Sequence, residues 1–210
     1  MIEIINSPSQ DLIITSDESW FYYENYHDAM WARSADEVKP RPKRTIGARK
    51  CMLTVFWGLQ GFHLVDILPH GMTFNCAYVS TLITRLDKNL HETGQENGLA
   101  GVILHWDNAR PHVAGTTKTL LTNLQATTMP HPPYSPDLAP CDFFLFGHVK
   151  RQLQGSNFED TPSLITRINE ILSAITPEMR KSVFANWITR LNWVIENNGD
   201  YYNNNKTHGK

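Results

Sequence analysis

The apolar positions of this chain recur first at strand spacing and later at helix spacing. Leu12, Ile13 and Ile14 form a β-branched run that ends in Thr15-Ser16-Asp17, and Trp20 to Tyr23 continue it in extended, aromatic character. Residues 24–49 are polar, hold Pro40 and Pro42 and show no periodicity, which predicts a long loop. From Cys51 to Trp57 nearly every position is apolar, as a strand covered on both faces requires. Gly58 to Gly61 makes a turn, and Phe62 to Leu68 reads as the returning partner.

The period then lengthens. Tyr78, Val79, Leu82, Ile83, Leu86 and Leu90 share one helical stripe, with Asn75 placed as N-cap. Val102 to Trp106 is a short buried strand ending at Asp107, and Pro111 opens a second helix containing Leu120, Leu121 and Leu124. A short strand is placed near Thr127, followed by the proline-dense loop Met129 to Pro140. Thr161-Pro162 and Thr176-Pro177 each read as a capping hydroxyl followed by proline in the first helical turn. Ile165, Ile168, Ile171, Leu172 and Ile175 face one core; Val183, Trp187, Leu191, Val194 and Ile195 do the same in the last helix. The tail, about 199–210 and including Asn203 to Asn205, is expected to fray.

This order gives three antiparallel strands, then parallel strands joined through a helix. The fold class is α/β: a mixed β-sheet flanked by helices, in a single domain spanning 1–210. At 210 residues the chain suits one well-buried domain, and 41% hydrophobic with 19% charged residues is a globular composition. No apolar run is long enough to cross a bilayer, and MIEIINSPSQ lacks the basic start and apolar stretch of a secretory signal. The expectation is therefore no membrane and no secretion: nucleus in a eukaryote, cytoplasm otherwise. Cys51, Cys76 and Cys141 cannot all pair, which disfavours a disulfide framework. A net charge of −2 does not announce a nucleic-acid binder, so any such case must come from local patterning.

Asp17 closes the first strand and Asp107 the fourth; neighbouring strands would bring these carboxylates together. Asp142 follows the proline loop at the start of a helix through Phe143, Leu145 and Phe146. Three converging hard oxygen donors suit Mg²⁺ or Mn²⁺, and two such ions can activate a hydroxyl and stabilise a leaving oxygen in phosphodiester displacement. Each acid also has a plainer role: Asp142 as a helix cap, Asp137 as a turn residue, Asp17 and Asp107 as solvated strand ends.

Motifs narrow these options. His105-Trp106-Asp107-Asn108-Ala109-Arg110-Pro111-His112 resembles the H-D-N-A-R-P-H signature of mariner-type transposases. Tyr134 to Asp142 resembles their Y-S-P-D-L-A-P-S-D motif, and Thr15-Ser16-Asp17-Glu18 with Trp20 resembles their T-G-D-E and tryptophan. The 34 residues between Asp107 and Asp142 match the mariner spacing. The resemblance covers about residue 11 to about 200. It implies an RNase H-like fold of the DDE/DDD superfamily in which Asp17, Asp107 and Asp142 hold two Mg²⁺ or Mn²⁺ ions. It also implies an endonuclease and strand transferase that cuts transposon ends and joins them to target DNA at a TA step, working as a homodimer.

Glu18, Asn108 and His112 are supporting residues in this reading. Glu18 should point to the opposite face of its strand from Asp17. Arg110 either fixes a phosphate or braces Asp107. His105 and His112 make no zinc site, since no thiolate or further spaced ligand accompanies them. Cys141 stands where the family often has serine and reads as a small spacer.

Lys39, Arg41, Lys43, Arg44, Arg49 and Lys50 cluster locally, held extended by prolines, as sequence-independent phosphate contacts to double-stranded DNA require. In the family such an insertion, here about 24–49, resembles a clamp that reaches the partner subunit and DNA. KPRPKR also fits a nuclear import pattern.

Two features depart from the family. Asp17 lies too near the first residue to leave room for paired helix-turn-helix modules, which are expected to be absent, and Ser16 replaces the usual glycine. The resulting expectation is a metal-dependent catalytic core with little sequence selectivity of its own. The alternative is a decayed or domesticated DNA-binding or dimerisation module, against which the three intact aspartates argue. A nuclease acting on RNA–DNA hybrids is disfavoured by the Y-S-P-D-L-A-P stretch.

Overall fold

The computed structural model describes residues 1–5, 8–26, 47–69 and 71–202. Its strands are β1 (Ile13–Tyr22), β2 (Lys50–Gly58), β3 (Gly61–Ile67), β4 (Ile103–His105) and β5 (Thr127–Met129). The helices are α1 (Ile2–Ile5), α2 (Cys76–Glu92), α3 (Arg110–Val113), α4 (Gly115–Asn123), α5 (Phe146–Gln152), α6 (Thr161–Ser173) and α7 (Pro177–Glu196). One five-stranded sheet has the order β3-β2-β1-β4-β5, antiparallel from β1 to β3 and parallel from β1 to β5. The mixed sheet expected from the sequence, with its short strand near Thr127, is present.

Alternation along the central strands builds two cores. Ile13, Phe21, Leu53, Val55 and Trp57 face the layer of α5, α6 and α7, where Trp57, Phe184 and Trp187 are fully enclosed. Ile14, Phe56 and Leu104 face α2 and α4, against Leu82, Ile83 and Leu86. The strands therefore read as nearly continuous apolar runs, since both faces are covered. Gly58 permits the β2–β3 turn to close on β1: a Cβ there would lie 2.5 Å from the Ile13 carbonyl oxygen.

Asn75 caps α2 as expected, accepting from the Tyr78 amide at 3.0 Å. Other local expectations are corrected. The helix opened by Pro111 is two short helices, broken at Ala114, whose ψ of 145° is extended. Thr117 Oγ1 donates to the Pro111 carbonyl across that break at 2.8 Å. Helix α6 is capped by Asp160, which accepts from the Ser163 amide at 2.9 Å, so Thr161 lies inside the helix; only Thr176 caps as expected. A carboxylate one residue earlier is the better acceptor at the positive end of a helix. Ile195 is 66% exposed, because the last turn of α7 runs past the core. The helix predicted at Asp142 begins with a π-helical turn, Cys141–Leu145, before α5. Of the tail, Asn203 to Asn205 lie outside the described residues, whereas the Tyr202 amide bonds back to Asp137. The three cysteines are unpaired, and among the described residues no helix is long and apolar enough to cross a membrane.

Candidate active site

Parallel pairing of β1 with β4 places Thr15 opposite His105. Two residues further along each strand direction stand Asp17 and Asp107, at the same end of the sheet and with the same side-chain parity. The turn carrying Asp142 lies against β1 on the α5 side, where Trp57 Nε1 donates to Cys141 Sγ at 3.3 Å and fixes the adjoining residue. Cys141 is fully buried, and that burial pushes its thiol up, consistent with the spacer reading. All three aspartates line one cavity of about 380 Å³, together with Asn108, His131 and the proline loop.

The electrostatics of the acids differ. Burial, then the negative charges of Asp142 and Glu18, push the Asp17 carboxyl far above the ordinary carboxylate range; Asp107 adds a smaller push. Burial also raises Asp142, against a smaller lowering by a hydrogen bond from Asp17. Asp107 is held low, chiefly by its hydrogen bond with His112. Its Oδ1 accepts from His112 Nδ1 at 2.8 Å and from the Ala109 amide at 2.9 Å. Bracing of Asp107 thus falls to His112 and a backbone amide, while Arg110 opens α3 as an exposed residue.

His112 is enclosed by Trp106, stacked at 4.6 Å between centroids, and by Phe74 edge-on. Its Nε2 lies 3.6 Å from Glu18 Oε1, so Glu18 faces away from the cavity that Asp17 lines. Burial pulls the imidazole down, but its bonds to Asp107 and Glu18 outweigh this and carry it to about 9. Asn108 Nδ2 donates to the His131 carbonyl at 2.7 Å, tying the end of β4 to the proline loop. His131 was not singled out by the sequence. Its Nδ1 meets His105 Nε2 at 3.0 Å, and His105 Nδ1 meets Thr15 Oγ1 at 2.9 Å. The only signal for it was its place immediately before the paired prolines.

Ser16 lies within regular strand β1, so the position needs no glycine there. Its hydroxyl is buried at the cavity edge without a hydrogen-bond partner. Of the basic cluster, Lys39, Arg41, Lys43 and Arg44 lie outside the described residues. Arg49 sits 4.4 Å over the Tyr23 ring and donates to the Glu159 carbonyl; Lys50 sits 4.2 Å over Trp20. Both line a separate groove, not the aspartate cavity.

The donor set is hard oxygen, and burial with neighbouring negative charge raises the carboxyls of Asp17 and Asp142, a cost that a divalent cation relieves. In chemistry, and in lining one cavity, the residues fit such an ion. As the side chains stand, however, no three His, Cys, Asp or Glu groups among the described residues are close enough to hold one. Asp107, drawn toward His112, would have to turn inward.

A family model described as Transposase (partial DDE domain) matches residues 21–98. The human protein Histone-lysine N-methyltransferase SETMAR is 30% identical over 200 residues, covering 94% of this chain and 29% of that protein. The Mariner Mos1 transposase of Drosophila mauritiana is 30% identical over 171 residues, covering 77% of this chain and 48% of that enzyme. The chain thus spans less than half the length of either relative. The solved catalytic domain of Mos1 transposase superposes with a TM-score of 0.77 at 26% identity, over 96% of this chain and 90% of that one. The Mos1 paired end complex with Mn gives 0.85 at 26% identity, over 96% and 60%. The motifs, their order and the RNase H-like sheet make this chain a relative of the mariner-type transposase catalytic domain.

Proposed function

We propose that the chain is a transposase catalytic core, cleaving and joining DNA phosphodiesters with divalent cations held by Asp17, Asp107 and Asp142. The observation that carries this reading is that these three acids, distant in sequence, line a single cavity. When bound, Mg²⁺ or Mn²⁺ supplies Lewis-acid activation of the attacking oxygen and neutralises charge on the leaving one. The Mos1 structure with Mn supports the choice of a divalent ion for its relative.

The chain's own residues prepare the site. Asp17 is carried on the central strand β1, opposite Val55 of β2 and two residues past the last pairing with β4. His112 and the Ala109 amide occupy one oxygen of Asp107, leaving the other for an ion. Asn108 ties the proline loop to the strand end, so the cavity wall and Asp107 move together. Double-stranded DNA is the proposed substrate, and Arg49, Lys50, Arg110 and the cluster 39–44 are the proposed phosphate contacts. A homodimer and nuclear residence belong to the same reading.

The separation of the three acids as they stand favours a second reading, a module that binds DNA without chemistry. One experiment decides. The protein and its Asp107→Ala variant are incubated with supercoiled plasmid or a pre-nicked transposon-end duplex, with Mn²⁺, with Mg²⁺ or with chelator. Metal-dependent nicking or strand transfer that disappears in the variant supports the enzyme. Equal, inert binding by both proteins establishes the module.

A further inference from the structure

Asp137 lies in the 3₁₀ turn Pro136–Leu138, shortly before Asp142, and is 5% exposed. Its Oδ2 accepts a 2.7 Å hydrogen bond from the amide of Tyr202, beyond the end of α7. Its Oδ1 is buried with no partner. The charged group nearest at hand is Arg190 of α7, which contacts the main chain of Asp137 rather than its carboxylate. The Arg190 guanidinium, 9% exposed, donates from Nη1 to the Asp137 carbonyl at 3.0 Å and from Nε to Asn186 Oδ1 at 2.6 Å. It also lies 4.2 Å from the ring centroid of Phe143, the residue after Asp142, and 4.5 Å from that of Tyr202.

The stretch from Pro136 to Leu145 has little internal regularity. It is a 3₁₀ turn followed by a π-helical turn, whose hydrogen bonds are weaker guides than an α-helix's. Something outside must fix its orientation. Helix α7 is rigidly seated by Phe184 and Trp187, both fully enclosed. Arg190 is the point at which that helix grips the stretch, through a carbonyl on one side of Asp142 and a ring on the other.

We infer that Arg190 is a positioning residue for Asp142, and that the Arg190–Asp137–Tyr202 assembly is a latch transmitting the rigidity of α7 to the candidate site. A planar guanidinium offers Nη1 and Nε in a fixed fork, so Arg190 holds the Asp137 carbonyl and Asn186 Oδ1 at once while lying against both rings; a lysine ammonium is a single point charge without that fork. The effect on cation binding rests on the proposed function, whereas the fixing of the stretch does not.

The test uses the whole chain with Arg190→Lys and, as a variant outside the enclosed core, Tyr202→Ala. Amide hydrogen exchange of residues 137–143 is expected to accelerate at least about tenfold in both, because a local opening replaces a latched state, while β1 and α2 keep their protection. Affinity for Mn²⁺ alone, read by electron paramagnetic resonance at a temperature where every variant is folded, is expected to fall about 10- to 100-fold. If Arg190→Lys does not fold, Tyr202→Ala carries both measurements. Wild-type exchange at 137–143 in the folded variants overturns the inference, as does faster exchange with unchanged Mn²⁺ affinity. A wild-type chain that binds no Mn²⁺, with exchange still accelerated in the variants, sinks the proposed function and leaves the latch standing.

Discussion

His112 Nδ1 lies 2.8 Å from Asp107 Oδ1, and the opposite nitrogen of the same ring faces Glu18 at 3.6 Å. One imidazole therefore spans two acids that flank the sheet end, with only one of them lining the cavity. Trp106 and Phe74 hold its plane. A carboxylate held by such a partner gives up one oxygen and keeps the other open, although it must turn inward to present it to the cavity.

Replacing His112 with Phe keeps the aromatic packing and removes the hydrogen bond to Asp107 and the ion pair with Glu18. Nicking in Mn²⁺ is expected to slow about 10- to 100-fold, the usual cost of losing an outer partner of a metal-binding side chain. The His112→Asn variant is expected to fall between, since an amide can still donate to Asp107. Rates equal to wild type in both would remove the ring from the site's function.

Gly58→Ala introduces a methyl group where the Ile13 carbonyl oxygen lies only 2.5 Å away. Backbone must move, as no flexible side chain absorbs the clash. A loss of about 1–3 kcal/mol is expected from overpacking, read as a lowered urea midpoint at unchanged slope. No shift in midpoint would show that the β2–β3 turn has slack.

Trp57→Ala removes a ring that stacks on Phe62 and meets Phe184 edge-on. The expected cost is about 3–5 kcal/mol for a fully enclosed tryptophan. Because the Cys141 contact goes with it, the segment before α5 should also lose exchange protection. A cost under about 1 kcal/mol would contradict the packing.

Alkaline stability has a defined sign at Tyr78. Burial, then its hydrogen bond to Asp66 and that residue's charge, hold the phenol above its ordinary value, against a smaller opposing push from Arg85. The unfolded chain ionises first, near about pH 10, so the native state retains the proton longer. The stabilisation is complete below that pH and is lost as pH rises toward the native value. Urea midpoints of wild type should therefore fall more steeply between pH 9 and 11 (a window chosen about the tyrosine value) than those of Tyr78→Phe. Parallel slopes would show that the phenol is free.

Lys43 and Arg44 are expected to contact phosphate, so the double Gln variant should weaken DNA binding equally across sequences. Two lost contacts should flatten the logarithmic salt slope by about 1.8. An unchanged slope removes this cluster from the DNA path.

The sheet was legible because β1, β2 and β4 are covered on both faces, which leaves unbroken apolar runs such as Cys51 to Trp57. Helix α2 was legible because only one stripe of it is buried, with Asn75 marking its start. The break at Ala114 was not, since it depends on a Thr117 hydroxyl reaching the Pro111 carbonyl and leaves no mark on the period of Leu120, Leu121 and Leu124. Ile195 continues the stripe of α7 past the point where anything covers it. The aspartates stood out through spacing and motif. His131 and Arg190 did not, because their partners, His105 and Asp137, come within reach only after β4 pairs with β5 and α7 folds across the proline loop.

The pairing of β1 with β4 through the α2 crossover also bears on biosynthesis. Acids from the first strand, the fourth and the turn ahead of α5 cannot meet until Asp142 has been added, about two thirds of the way along the 210 residues. A half-made chain carries Asp17 alone of the three, since Asp107 and Asp142 lie in the second half of the 210 residues. The acid cluster is thus withheld from any chain broken off before residue 142.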